Sequence, residues 1–145
     1  MITVRLRPCA SCPYRRDVPS GIWTAEEYDK LPAYDGGTPD QLAARAFALF
    51  HCHSQPASLC AGWVGCHDMD HNLAVRLNAR DVDPAVFGYV SPVPLFASGA
   101  EAAEHGKRDL AAPGPEAQRK MWQLLRLVAA RNRNDEMTAT QAGED

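Results

Sequence analysis

The sequence has no long apolar segment, and this absence argues against a membrane-spanning helix. No stretch of its 145 residues approaches the roughly 18 consecutive apolar residues that a membrane span requires. The first residues carry positive charges, but no apolar segment of a secretory signal follows them. We therefore expect a cytoplasmic protein that does not contact a membrane.

The sequence also lacks an excess of positive charge. It has 15 Lys and Arg residues against 18 Asp and Glu residues, which gives a net charge of -3 and a pI near 5.9. A chain with this balance produces no overall positive field that would draw it to a polyanion. Nucleic acid is therefore an unexpected partner, whereas an unidentified protein partner remains open.

Motifs of the common enzyme classes are absent as well. The chain contains no Gly-rich phosphate loop, no Gly-x-Ser-x-Gly elbow and no His-Glu-x-x-His run. The carboxylates Glu26, Glu27 and Asp29 are more typical of charges at a helix start than of a general acid/base pair. We therefore do not expect an enzyme.

Cysteine is well represented, and its pattern is the most informative feature of the sequence. Cys9 and Cys12 are separated by two residues, the spacing at which one tight turn offers two thiolates to one metal ion. In a reducing compartment, such clustered thiols are more typical of metal or redox sites than of disulfides. A second cluster follows about 40 residues later and adds six donors: Cys52, His53, Cys60, Cys66, His67 and His71. Two separated clusters predict a site that ties distant segments together.

Predicted secondary structure helps to choose among these donors. Alternating apolar residues predict a strand over residues 2–6, just before the first cysteine pair. An aromatic-rich segment predicts a second strand over 47–53 that would place Cys52 near its end. Helical spacing predicts a helix over 59–79 with Cys60 in its first turn, where the helix dipole favours a thiolate.

The donors at the ends of predicted elements are the best candidates for ligands. We therefore predict four metal ligands: Cys9, Cys12, Cys52 and Cys60. His53 is an alternate ligand or a hydrogen-bond partner of one. His67 and His71 are the main rivals, because their spacing of four residues places them on one helix face. Cys66 lies inside the predicted helix and is more typical of a buried, inert thiol.

The identity of the metal depends on the donor type. Four thiolates suit Zn2+ and a [4Fe-4S] cluster almost equally. Pro13 directly after Cys12, with aromatic residues nearby, would suit a sheltered cluster, whereas the histidine content and the two-residue gap favour zinc. We place zinc first and the iron–sulfur cluster second. Burial of the five cysteines as small apolar residues is the simpler alternative, but core cysteines seldom bracket turns and histidines in this way.

Two other functions remain open. The Cys9/Cys12 pair could act as a thiol–disulfide oxidoreductase, although Pro13 and the loop after it do not resemble a helix opened by a redox motif. A nucleic-acid-binding zinc module would place Arg15 and Arg16, or the last helix, against phosphates. The apolar stripe 121–128 of that helix is more typical of a core than of an interface.

The fold predicted from these features is a small single α+β domain, with short strands and several helices organised around a Cys-rich metal site. Its boundaries are residues 1–133, with a motif core over 8–75 and a helical part over 80–133. The polar composition of residues 134–145 predicts a disordered tail. The corresponding function is a structural, regulatory or accessory role for an intracellular metal-binding protein.

The motif core resembles a known family of small proteins. The resemblance rests on the run Pro8-Cys-Ala-Ser-Cys-Pro-Tyr-Arg-Arg-Asp-Val-Pro-Ser-Gly-Ile-Trp23, the pairs Glu27-Tyr28 and Tyr34-Asp35, and the runs Phe50-His-Cys-His53 and Cys60-Ala-Gly-Trp63. These runs resemble a family of unknown function that is found in actinobacteria and their phages. The resemblance covers residues 8–75. The resemblance implies that the two cysteine clusters belong together and that Cys9, Cys12, Cys52 and Cys60 are metal ligands. It implies no activity.

Overall fold

Helices and tight turns provide most of the regular structure. A computed structural model describes residues 1–142. The helices are α1 (Ala25–Asp29), α2 (Thr38–Ala43), α3 (Ala61–Cys66), α4 (Leu73–Leu77), α5 (Gly99–Lys107) and α6 (Pro115–Ala142). Three 3₁₀ turns cover Leu31–Tyr34, Met69–His71 and Pro84–Val86. With the two short strands described next, they form one small α+β domain, as predicted. None of the helices within the described range is long and apolar enough to cross a membrane.

The sheet joins the start of the chain to the middle of the motif core. Strand β1 (Thr3–Val4) pairs in parallel with β2 (Ser58–Leu59), so that Val4 lies opposite Leu59. The predicted strand over 2–6 is therefore confirmed only in part. Because the pairing is parallel, the chain leaves both strands in the same direction, toward Cys9 on one side and Cys60 on the other.

The predicted strand over 47–53 is wrong. This segment is irregular, and it folds back so that the Cys52 N–H donates to the Ser58 carbonyl at 2.9 Å. The Cys60 N–H donates to the Phe50 carbonyl, also at 2.9 Å. Phe50, one of the aromatic residues that predicted a strand, is buried without forming one and is only 7% exposed.

The predicted helix over 59–79 is also wrong as a single element. It begins as predicted, with Cys60 as the N-cap of α3, but that helix ends at Cys66. The side chain of Asp68 caps the following 3₁₀ turn, and the side chain of Asn72 caps α4 by accepting from the Val75 N–H at 3.0 Å. Short polar side chains such as these compete with a continuous helix and start new ones.

Close packing of α5 against the preceding segments completes the core. The carboxylate of Asp35 accepts the N–H groups of Gly99 and Ala100, at 2.7 and 2.9 Å, and so satisfies free donors at the start of α5. Near the other end of α5, Gly106 lies directly against the Tyr28 ring. The contact needs a residue without a side chain.

The last helix is longer and more exposed than predicted. It begins at Pro115 and continues to Ala142, through residues 134–142 of the predicted tail, whose disorder stays a prediction. No Pro or Gly interrupts residues 116–142, and the Thr138 and Thr140 hydroxyls bond to carbonyls one turn back. The rest of the predicted tail, 143–145, lies outside the described residues.

The apolar stripe of α6 is only partly core. Ala117 is buried, and Met121 and Leu124 are half-buried against the small cluster of Val18 and Ile22. Other members of the stripe face outward: Trp122 is 63% exposed and Leu125 59%. The stripe over 121–128 is therefore core only in part, because α6 packs along one narrow face.

Replacement of Gly106 by Ala tests the packing of α5. In an ordinary helix this change stabilises by about 0.5–1 kcal/mol, but here the added methyl group would overlap the Tyr28 ring. We expect a loss of about 1–3 kcal/mol in unfolding free energy, measured by urea denaturation. Gly88→Ala, whose added Cβ meets nothing within 4 Å, is the control. Equal stability of the two variants would contradict this packing.

Candidate metal centre

The first cysteine pair lies on a tight turn after β1. The Cys12 N–H donates to the Cys9 carbonyl at 3.0 Å, which closes the turn as the two-residue spacing predicts. The Arg15 guanidinium donates to the Pro8 carbonyl at 3.2 Å and holds the turn from outside. From the other side, the Trp23 Nε1 donates to the Ser11 carbonyl at 2.9 Å.

The second pair, Cys52 and Cys60, is held by the fold-back of the chain around β2. Cys60 occupies the N-cap of α3, at the positive end of the helix dipole. Both side chains are 3% exposed. Cys52 and Cys60 are separated in the sequence, but the backbone hydrogen bonds across the fold-back bring the two residues together.

Each member of the first cysteine pair interacts with a member of the second. Cys12 interacts with Cys60, and Cys9 interacts with Cys52. The Cys12 and Cys60 sulfurs lie 3.7 Å apart, although the residues are 48 positions apart in the chain. Hydrogen bonding between the Cys9 and Cys52 thiols raises the pKa of Cys9 and lowers the pKa of Cys52. The hydrogen bond to Cys60 and burial raise the pKa of Cys12, and electrostatic repulsion from Cys52 acts in the same direction.

The two pairs do not yet form a coordination sphere. Among residues 1–142, no group of three or more Cys, His, Asp or Glu side chains is arranged so that it could hold a metal ion. The Cys12 and Cys60 sulfurs are in contact, but a common ion would require Cys9 and Cys52 to close on them. What the fold provides is proximity of four thiols.

Backbone N–H groups point at the sulfurs of the buried Cys12–Cys60 pair. The Trp63 N–H donates to the Cys60 Sγ at 3.4 Å. A backbone hydrogen bond from Tyr14 lowers the pKa of Cys12 against the larger raising effects of Cys60 and burial. Donors of this kind stabilise sulfur in its thiolate form, which is the form that binds metal.

Cys52 is the most strongly stabilised thiolate of the four. A hydrogen bond from Cys9 is the main cause that lowers the pKa of Cys52, and the Arg5 guanidinium, 3.7 Å from its sulfur, acts in the same direction. Backbone N–H groups of Ser54 and Gln55 also lower this pKa. Its partner behaves oppositely, because donation to Cys52 and burial raise the pKa of Cys9.

This arrangement does not resemble an activated Cys9/Cys12 redox pair. Cys12 is completely buried and contacts Cys60 instead of Cys9. A hydrogen bond to Cys52 and burial raise the pKa of Cys9. A hydrogen bond to Cys60 and burial raise the pKa of Cys12. A redox nucleophile needs an exposed thiolate with a lowered pKa, and neither residue offers one.

His53 lies beside the cysteines but is engaged elsewhere. Its Nε2 is 3.1 Å from a Glu27 carboxylate oxygen, and its ring lies against the Trp23 ring, tilted by 30° with centroids 4.2 Å apart. The structure therefore gives His53 other partners than the four sulfurs. Through Trp23, it connects the loop of Cys52 to the turn of Cys9 and Cys12.

The predicted rivals His67 and His71 do not share a helix face, because α3 ends before them. His67 packs among aromatic rings, with its Nδ1 3.7 Å from Asp35. His71 is exposed and bonds to Asp68 at 2.8 Å. Burial raises the pKa of Cys66 to about 12.

Gly62 is a site residue that the sequence did not single out. It lies two residues after the N-cap Cys60, and its α-carbon approaches the Cys12 sulfur so closely that an added Cβ would overlap it. Its only signal in the sequence is a glycine at a position where a helix former is expected. Arg5 was missed for another reason, since its distance from Cys52 in the chain gave no sign of contact.

A comparison with protein-family models assigns the chain to a family. Residues 4–133 match a family of unknown function, DUF6283. The chain belongs to the DUF6283 family. The DUF6283 match includes all four cysteines and most of α6, so it extends well beyond residues 8–75, the range of the resemblance seen in the sequence. No curated protein and no solved structure matches the chain.

Gly62→Ala tests how tightly this DUF6283 chain closes around Cys12. The new methyl group would overlap the Cys12 sulfur and come within 2.8 Å of the Tyr14 Cβ. We expect a loss of about 1–3 kcal/mol in unfolding free energy, despite the better helix propensity of Ala.

Gly65→Ala in the same helix is the matched control, because its added Cβ meets the flexible end of the Leu95 side chain, at 2.8 Å. Urea denaturation of both variants makes the comparison. A Gly62→Ala variant no less stable than Gly65→Ala would contradict close approach at Cys12.

Proposed function

We propose that this DUF6283 protein binds one zinc ion through the four thiolates of Cys9, Cys12, Cys52 and Cys60. The observation that carries the proposal is the 3.7 Å separation of the Cys12 and Cys60 sulfurs. Sulfurs bound at about 2.3 Å to a tetrahedral zinc ion stand about 3.8 Å from each other. The fold thus supports one edge of such a tetrahedron without any bond to an ion.

The same distance favours zinc over a [4Fe-4S] cluster. In a cluster each thiolate binds a different iron atom, so the cysteine sulfurs stand much farther apart than around a single ion. Two sulfurs in contact fit one shared ion better. The cluster remains the alternative, and it differs from zinc in having colour.

The donor chemistry and the burial support a structural ion. Three of the sulfurs, those of Cys12, Cys52 and Cys60, are at most 3% exposed and receive backbone N–H groups. Four protein thiolates would leave no open position for a substrate, as in structural zinc sites. Zinc would supply positive charge that lets four neighbouring thiols ionise together.

Binding would require the two cysteine pairs to close on each other. Cys9 is the most accessible of the four and lies in a turn, so its side chain is the one that can adjust most easily. The closed site would tie the turn after β1 to both sides of the fold-back. Thiolate ligands persist in a reducing compartment, which supports a cytoplasmic accessory protein.

The ligand set predicts how much zinc individual variants retain. Protein purified under reducing, anaerobic conditions is expected to contain about one zinc ion per chain and no visible chromophore. Cys60→Ser should lower the zinc content and weaken affinity at least about tenfold. Cys66→Ser, six residues away, should keep the full content. Colour with bound iron would favour the cluster, and equal zinc content in both variants would contradict the ligand assignment.

Removal of the ion should weaken the whole fold. Structural zinc contributes on the order of 10 kcal/mol in small domains, which rivals the total stability of a domain of this size. Treatment with a chelator under reducing conditions is expected to abolish the cooperative thermal transition followed by circular dichroism, and added zinc should restore it. An unchanged transition, with zinc removal verified by metal analysis, would contradict a structural role.

A further inference from the structure

The side of α6 that faces away from the domain carries a row of exposed arginines. Ala117 and Met121 pack on the opposite side, against the small cluster of Val18 and Ile22. Because a helix advances by about 100° per residue, three arginines with a spacing of seven residues share the outer side: Arg119, Arg126 and Arg133. They follow each other at intervals of about 10.5 Å along the helix.

Trp122 lies between the first two of these arginines. It is three residues after Arg119 and four before Arg126, and with Gln123 these side chains line an open cavity of about 230 Å³. The Trp122 side chain is 63% exposed. Packing against the domain does not account for its position, because the apolar contacts of α6 are made on the other side of the helix.

This face is positive although the chain as a whole is acidic. Between Ala117 and Asn134, α6 has five basic residues and no acidic residue, whereas the whole chain has a net charge of -3. Within residues 1–142, none of the arginines in the row forms an ion pair. Acidic residues return at Asp135 and Glu136, which limits the positive face at its C-terminal end.

Positive charge and an exposed aromatic ring together indicate the class of ligand. Guanidinium groups bind phosphates, and bases of any sequence stack on exposed aromatic rings in proteins that bind single strands. A base on the Trp122 ring would set the neighbouring phosphates against Arg119 and Arg126. We propose that this face of α6, from Arg119 to Arg133, binds single-stranded nucleic acid. The attraction is local to the helix and needs no overall positive field.

Other anionic partners would use only part of this face. The bases of a duplex are stacked on each other, so Trp122 would find no free ring to stack on. The carboxylates of an acidic peptide would meet the arginines, but they offer nothing flat to the indole. Exposure to solvent alone explains the arginines and leaves the indole in water without a partner.

The proposed face contains none of the four cysteines, so the proposal does not require that they hold a metal ion. Its connection to them is through Arg131, whose guanidinium donates to the His53 carbonyl at 3.4 Å. This hydrogen bond ties α6 to the loop of Cys52. The binding experiments therefore use the full chain as purified.

The first test compares ligands by fluorescence anisotropy at low salt. The probes are labelled single strands of DNA and of RNA of about 12 nucleotides, a DNA duplex of the same length, and polyglutamate. At least one single strand is expected to bind about tenfold more tightly than the duplex or polyglutamate, and its affinity should fall as salt rises. No binding of either single strand would overturn the proposal. Equal or tighter binding of the duplex would reject it in favour of double-stranded nucleic acid, and of polyglutamate in favour of an acidic protein.

The second test removes the arginines of the row. Simultaneous Arg119→Gln, Arg126→Gln and Arg133→Gln should weaken binding of the single strand at least about tenfold. The slope of log affinity against log salt should become shallower by about 2, since each phosphate contact on a single strand contributes about 0.7. A control with the same change in charge uses three exposed arginines elsewhere: Arg7→Gln, Arg80→Gln and Arg108→Gln. An equal loss in both triple variants would show that the face is wrongly assigned.

The third test concerns the aromatic ring. Trp122→Ala should weaken binding about fivefold or more with an unchanged salt slope, whereas Trp122→Phe should retain most of the affinity because its ring can still stack. Leu127→Ala is the control, since Leu127 is 55% exposed on another side of the helix. If Trp122→Ala binds as tightly as Leu127→Ala, stacking is excluded. Unchanged circular dichroism and metal content of each variant show that the fold is retained, so that a failure here is distinct from a failure of the zinc site.

Discussion

The contact between the Cys12 and Cys60 sulfurs is the constraint on which the rest of the structure depends. It joins residues 48 positions apart, and both side chains are almost fully buried. To reach it, the chain must turn sharply after β1, fold back around β2 and begin α3 at Cys60. Gly62 then has no room for a side chain. An ion shared by these thiols would hold together the segments that converge here.

The sequence predicted those parts of this arrangement that depend on residues close together in the chain. The two-residue gap between Cys9 and Cys12 predicted a tight turn, and Cys60 was correctly expected to open a helix. The start of α6 at Pro115 followed from the preference of proline for a first turn. The choice of four cysteines over the histidines as ligands stays a prediction, and the metal itself is a proposal.

Long-range contacts account for what the sequence did not predict. Phe50 has strand propensity, but its burial is achieved in an irregular fold-back. Asp68 and Asn72 divide one expected helix into shorter pieces, and this separates His67 from His71. The outward face of α6 could not be anticipated either, because an apolar stripe does not reveal how much of it a small core can cover.

The central claim is that four thiolates from three segments bind one zinc ion. X-ray absorption at the zinc edge, on protein purified under reducing conditions, counts the ligand atoms and measures their distances. The account predicts a first shell of four sulfurs at about 2.3 Å, with no nitrogen or oxygen. A shell dominated by nitrogen or oxygen, or a protein that binds no zinc at all, would contradict it.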